Sequence, residues 1–202
     1  MWKFLTPWKK EPIAKPDDRI MMIAQLNARV QPLDRGAIFE DPLDEVLRSC
    51  GIGEVTGGGT MMAAEPDGIK YCDLEIMTND ASQSTIQKII ESLEALGAPK
   101  GSILKISPDD QEIAFGRSEG MAVFLNGTDL PLATYENGDV NKVIADIDLQ
   151  LSGEGSLLGH WEGSRETALY FYGRSFEVMR AKTASYLEGE PLCDKARVVQ
   201  IA

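Results

Sequence analysis

The chain has 202 residues, 43% of them apolar and 26% charged, the composition of an ordinary globular protein with one large or two small domains. Its 20 basic and 32 acidic side chains leave a net charge of -12, which repels phosphate backbones and argues against sequence-independent nucleic-acid binding. Three cysteines, Cys50, Cys72 and Cys193, without any CxxC spacing, exclude a disulfide framework and a zinc-ribbon pattern and suit a reducing, cytoplasmic compartment. No run approaches the roughly 18 apolar residues of a membrane span.

Residues 1–19 form a basic, aromatic tail. Trp2, Phe4, Leu5 and Trp8 alternate with Lys3, Lys9 and Lys10. Pro7 breaks the apolar run, which is too short for a signal peptide. Two tryptophans beside lysines could make weak contact with a membrane interface or a partner groove, and the commoner outcome for such a tail is disorder or packing on its own domain. Pro12, Pro16 and Asp17-Asp18 then read as a linker, and the tail is expected to be dispensable for folding.

From Ile20 to Val30 the β-branched and long apolar residues predict a buried strand. Gln31 to Asp41 holds Pro32, Asp34 and Gly36 and reads as a loop. Asp41-Pro42 opens a helix that Gly51 stops. Gly53 to Ala64 is a glycine-rich strand, Pro66-Asp67-Gly68 a turn, and Ile69 to Met77 its hairpin partner. Asn79-Asp80 or Ser82 caps a helix through Leu96, with Ile86, Ile89, Ile90, Leu93 and Leu96 on one stripe. Gly97 and Pro99 end it, and Ile103 to Ile106 is a last strand.

The same order then returns. Met121 to Asn126 is a strand, a helix starts near Asp139, Ser156–Trp161 and Thr167–Tyr172 form a hairpin, a helix covers Phe176 to Leu187, and Arg197 to Ile201 closes the chain. Sequence matches accompany the repeat. Leu26-Asn27 and Pro32-Leu33 return as Leu125-Asn126 and Pro131-Leu132. Gly53-Glu54-x-Thr56-x-x-Gly59 returns as Gly153-Glu154-x-Ser156-x-x-Gly159, and 100–106 (KGSILKI) aligns with 195–201 (KARVVQI). The expectation is an α+β protein of two tandem ferredoxin-like (βαββαβ) units, 20–107 and 108–202, from an internal duplication. Both are acidic, with seven basic against thirteen acidic side chains in the first and eight against sixteen in the second.

Candidate sites are sparse. Gly57, Gly58 and Gly59 could cradle an anion through backbone N–H groups. They lack the lysine and following helix of a phosphate loop, so close approach of another backbone explains them as well. Asp73 and Glu75 share one strand face and are the weak candidates for a divalent cation, with Glu54 or Asp44 nearby. His160 is the single histidine, with Glu162 or Glu166 as nearest carboxylates in sequence. Trp161, Tyr170 and Tyr172 belong to an aromatic group suited to partner or ligand contact, or to packing between the units. No cofactor is implied.

These features together point to a soluble, non-catalytic binding module for a protein or a small effector. Its acidic surface could neutralise a basic partner, as immunity proteins do. The alternative is an enzyme or metal-dependent activity using Asp73 and Glu75 or His160.

Overall fold

The computed structural model describes residues 18–109 and 111–202. Expectations placed on Trp2, Trp8 and the rest of 1–17 lie outside these residues.

The first unit runs β1 (Ile20–Leu26), α1 (Pro32–Arg35), a π turn (Gly36–Glu40), α2 (Asp41–Cys50), β2 (Gly53–Met62), β3 (Ile69–Thr78), α3 (Gln83–Ala95), β4 (Ser102–Ile106) and β5 (Gln111–Phe115). The second runs β6 (Glu119–Asn126), α4 (Leu132–Asn137), α5 (Val140–Leu151), β7 (Gly155–Glu162), β8 (Glu166–Gly173), α6 (Phe176–Gly189), a 3-10 turn (Pro191–Cys193) and β9 (Arg197–Gln200). The strands form two sheets of order β2-β3-β1-β4-β5 and β7-β8-β6-β9, with antiparallel neighbours throughout. Each holds the ferredoxin-like order, in which the first and third strands of the unit are central. β5 extends the first sheet as an edge strand, although it lies beyond residue 107.

Period-2 alternation decides the layers. In β1, Met22, Ala24 and Leu26 are buried and pack with Phe39, Leu43, Leu47, Ile89 and Leu93 from the helices. In β6 and β8, Met121, Val123, Leu125, Leu169 and Phe171 pack with Val143, Ile147, Leu151 and Met179. Both helix layers therefore cover one sheet face. On α3 the predicted stripe is centred on Ile89 and Leu93, with Ile90 and Leu96 half-buried at its margin. Ser82 caps α3 by accepting from Thr85 N. No described helix is long and apolar enough to cross a membrane.

The loop expected over 31–41 is helical. Pro42 has no N–H and its ring crowds the carbonyl four residues earlier. A π turn precedes it, in which Asp41 N–H reaches back five residues to Gly36 O, so the winding widens just before the proline. Helical winding thus continues from Pro32 to Cys50.

Register shows which residues of the two units correspond. Ala24 pairs with Leu74 and Leu104, and Val123 with Leu169 and Val198. Leu26-Asn27 and Leu125-Asn126 are therefore equivalent, as the sequence match predicts. Two other matches slip. Leu104, rather than Ile103, corresponds to Val198, a shift that exchanges the faces of the last strand. Each second strand carries an irregularity in register, between Val55 and Gly57 and between Leu157 and Gly159. This equates Gly57 with Gly159, so Gly53-Glu54 does not correspond to Gly153-Glu154. Gly153 sits instead in the turn after α5, at φ +82°.

Candidate functional site

The face of the second sheet away from its helices is apolar, and the first unit roofs it. Ala122, Phe124, Ala168, Tyr170 and Tyr172 form a cluster there with Ile69 of the first unit, flanked by Trp161 and Ile201. Two segments make the roof: residues 27–30 after β1, and the turn between β2 and β3. Tyr172 Oη accepts from Arg29 N at 2.8 Å, and Tyr170 Oη donates to Asp67 O at 2.9 Å. The Arg29 guanidinium lies 5.6 Å from the Tyr170 ring centroid and donates to Asp67 O at 3.1 Å. Gln31 Nε2 donates to His160 O at 3.0 Å.

The roof needs residues without side chains. A Cβ on Gly159 would come 2.6 Å from Arg29 O, and one on Gly68 would come 2.3 Å from the Trp161 ring. Gly68 also has φ +67°, which glycine adopts without strain.

Tyr170 and Tyr172 are 0% and 4% exposed. Of the two roles open to these aromatics in sequence, partner or ligand contact and packing between the units, the structure shows the second for this pair, which is enclosed between the units. Burial raises both phenol pKa values, and each hydroxyl is bonded to first-unit backbone. Their role here is to hold the two units together.

Trp161 is the member of that trio left half-open. It lines a cleft of about 400 Å³ where the roof ends, with Glu65 and Pro66 from the first unit and Asn126, Thr128, Asp129, Arg165, Glu166 and Arg197 from the second. Several of these groups are already partnered. Glu65 accepts from Ser164 Oγ at 2.6 Å and from Ser164 N at 3.2 Å, which lowers its pKa. Arg197 donates to both oxygens of Glu166, at 3.0 and 2.7 Å, in a fork geometry that lowers the Glu166 pKa. The Arg197 guanidinium also stacks 4.3 Å from the Phe124 ring centroid. Asn126 Oδ1 accepts from Thr128 N and Asp129 N, at 2.9 and 2.8 Å, and so shapes the loop.

The other predicted residues lie elsewhere. Gly57, Gly58 and Gly59 pair with β3 in the first sheet. A Cβ on Gly58 would come 2.3 Å from Asp73 O and 2.6 Å from Glu40 Oε1. The glycine therefore admits the Glu40–Arg35 ion pair, whose Arg35 Nη1 also donates to Thr60 Oγ1 at 2.9 Å. Asp73 accepts from Gln25 Nε2 at 3.1 Å, while Glu75 is exposed. Glu54 pairs with Arg19 and Arg48, and Asp44 with Arg48. Among the described residues no group of three or more His, Cys, Asp or Glu is placed to hold a metal ion. His160 is exposed opposite Leu169, whereas Glu166 is opposite Asn126 on the other face of the sheet. Register thus separates His160 from Glu166.

The cleft residues Glu65, Pro66, Thr128, Asp129, Arg165 and Arg197 carried no site signal in sequence. They come from four separated segments: register within the second sheet joins three of them, and the docking of the units adds Glu65 and Pro66.

No protein-family model and no curated protein matches this chain. Among solved structures, a monooxygenase candidate of Fusobacterium nucleatum subsp. nucleatum aligns over 90% of both chains at 13% identity and TM-score 0.31. The first two RRM domains of the yeast poly(U) binding protein Pub1 align over 91% of this chain and 99% of theirs, at 14% identity and TM-score 0.23. With both TM-scores this low, the ferredoxin-like assignment rests on strand order and register.

Proposed function

We propose that this chain is a non-catalytic binding module whose ligand seat is the cleft between its two units. The observation that carries the reading is the cleft itself: about 400 Å³, walled by Trp161 and Pro66, with charged groups converging from both units. That size and mixture match small-molecule sites, which favour the junctions of domains. The ferredoxin-like units, 20–107 and 108–202, are read as a duplication in which the first copy became the roof of the second. Three free thiols fit a cytoplasmic setting. Neither His160 nor the Asp73 and Glu75 face contributes to this cleft.

The test is a thermal-shift screen of small metabolites on the full chain and on Trp161→Phe. A ligand present at 100 times its Kd stabilises the folded state by about 2.7 kcal/mol. The expected outcome is a rise in Tm with one chemical class, reduced in the variant. A rise equal in both proteins would move the seat away from the cleft.

A basic protein partner is the second reading, favoured by the charge of -12. Long-range attraction of this kind acts on the association rate and is screened within about 10 Å at 0.1 M salt. Surface-plasmon kinetics with a captured basic protein should then show an on-rate that falls steeply with salt. A salt-independent on-rate removes this reading.

A further inference from the structure

The polar groups of the cleft divide into those the protein has already satisfied and those it has not. Glu65 is held by Ser164, and Glu166 and Arg197 are held by each other. Two charges of opposite sign remain. Arg165 is exposed and within reach of none of the described carboxylates for an ion pair, although its charge adds to that of Arg197 in lowering the Glu166 pKa. The Asp129 carboxylate is exposed too, and among the described residues its one hydrogen bond is a long approach of 3.5 Å from Asn126 Nδ2. Lys195 lies near Asp129 but donates to its backbone oxygen, at 2.9 Å, rather than to the carboxylate.

From this remainder we infer that the cleft takes a small zwitterion of the free amino-acid class, with its carboxylate on Arg165, its ammonium on Asp129 and an apolar side chain against Trp161 and Pro66. The inference rests on the reading of the cleft as a ligand seat. The lining charges decide against other classes. A phosphate or a dicarboxylate would face Glu65, Asp129 and Glu166 together, and a simple amine would face Arg165 and Arg197. A dipolar ion answers one charge of each sign and leaves the Arg197–Glu166 fork intact. Arginine's planar donors suit a carboxylate in two-point contact. The indole supplies apolar area and its own N–H. The volume of about 400 Å³ is near the lower end of the range for ligand pockets, roughly 300–1,000 Å³, as a ligand of this size requires.

Isothermal calorimetry on the full chain provides the test. The probes are the twenty common amino acids, 3-phenylpropionate (no ammonium), phenethylamine (no carboxylate) and inorganic phosphate. At least one apolar or aromatic amino acid should bind, and both truncated analogues should bind at least tenfold more weakly. Arg165→Gln and Asp129→Asn should each weaken that amino acid at least tenfold while leaving Tm unchanged, because both side chains are exposed. Failure of every amino acid to bind overturns the inference. So does binding that survives both variants, or phosphate binding more tightly than any amino acid. A metabolite of another class that binds, and is weakened by Trp161→Phe, refutes the zwitterion and leaves the cleft standing. Amino-acid binding untouched by Trp161→Phe, Arg165→Gln and Asp129→Asn alike refutes the cleft as well.

Discussion

Single atoms govern how closely the two units approach. Gly159 is where the Arg29 carbonyl rests on β7, with 2.6 Å left for a Cβ. Gly159→Ala must push the roof outward, and overpacking of this kind costs about 1–3 kcal/mol. Chemical denaturation should report that loss, whereas Gly59→Ala, with nothing within 4 Å of its Cβ, should cost much less. The cysteines provide a second test at this scale. Burial raises the Cys72 thiol to about 12 and the Cys193 thiol to about 11, while Cys50 is exposed. A raised thiol pKa means that the folded chain holds its proton longer than the unfolded chain does. Its contribution to stability is intact below pH about 8.5, the unfolded thiol value, and is lost as pH rises toward the folded values. A thiol reagent near pH 8 should therefore label Cys50 in the native protein and reach Cys72 and Cys193 only on unfolding, with stability declining in the alkaline range. Rapid native labelling of Cys72 would show that its site opens easily.

Elements were legible wherever one periodicity ran unbroken. The stripe on α3 is the clearest case, and Leu93, fully buried beneath it, should cost about 2–5 kcal/mol on truncation to Ala. Urea unfolding with a loss under about 0.5 kcal/mol would contradict the packing described. The helical stretch from Pro32 to Cys50 was hidden because proline and glycine are breakers in isolation, and a π turn absorbs them only when the sheet beneath holds Phe39 and Leu43 in place. Strand β5 was hidden because its five residues, QEIAF, alternate too briefly to stand out from a turn. The slipped repeat matches have a related cause. Identical letters such as Gly-Glu recur by chance at an offset of two, whereas hydrogen-bond register fixes equivalence.

In the whole molecule, the units dock the end of one onto the face of the other, and the cleft is a product of that docking. Composition and alternation foretold the sheets, but nothing local in 65–66, 126–129 or 165–166 could announce a cleft whose last wall, Glu65 and Pro66, arrives with the other unit. The apolar face of the second sheet should be the clearest casualty of separation. A fragment of residues 118–202 exposes Phe124, Tyr170 and Tyr172, so it should aggregate or bind a hydrophobic dye that the full chain ignores. A monomeric, dye-silent fragment would show that the roof is optional. Acid should also loosen the junction. Ser164 holds the Glu65 carboxylate below its usual range, so this contribution is present above the unfolded value of about 4.3 and fades as pH falls below it.

End-on-face docking has no two-fold axis, and a contact without one can in principle repeat without closing. Among the described residues each chain buries one sheet face under one loop end, while the equivalent face of the first sheet carries the half-buried Asp73 and the exposed Glu75. One difference of chemistry at equivalent positions bears directly on such repetition. Where the second sheet has Ala168 and Tyr170 beneath the roof, register places Asp73 and Glu75 in the first. Those two carboxylates, the weak metal candidates of the sequence, put charge where self-docking of this kind would need an apolar face. Removing them with Asp73→Ala and Glu75→Tyr should yield concentration-dependent growth in light scattering, and scattering as flat as that of the parent chain would show that this charge does not decide the matter.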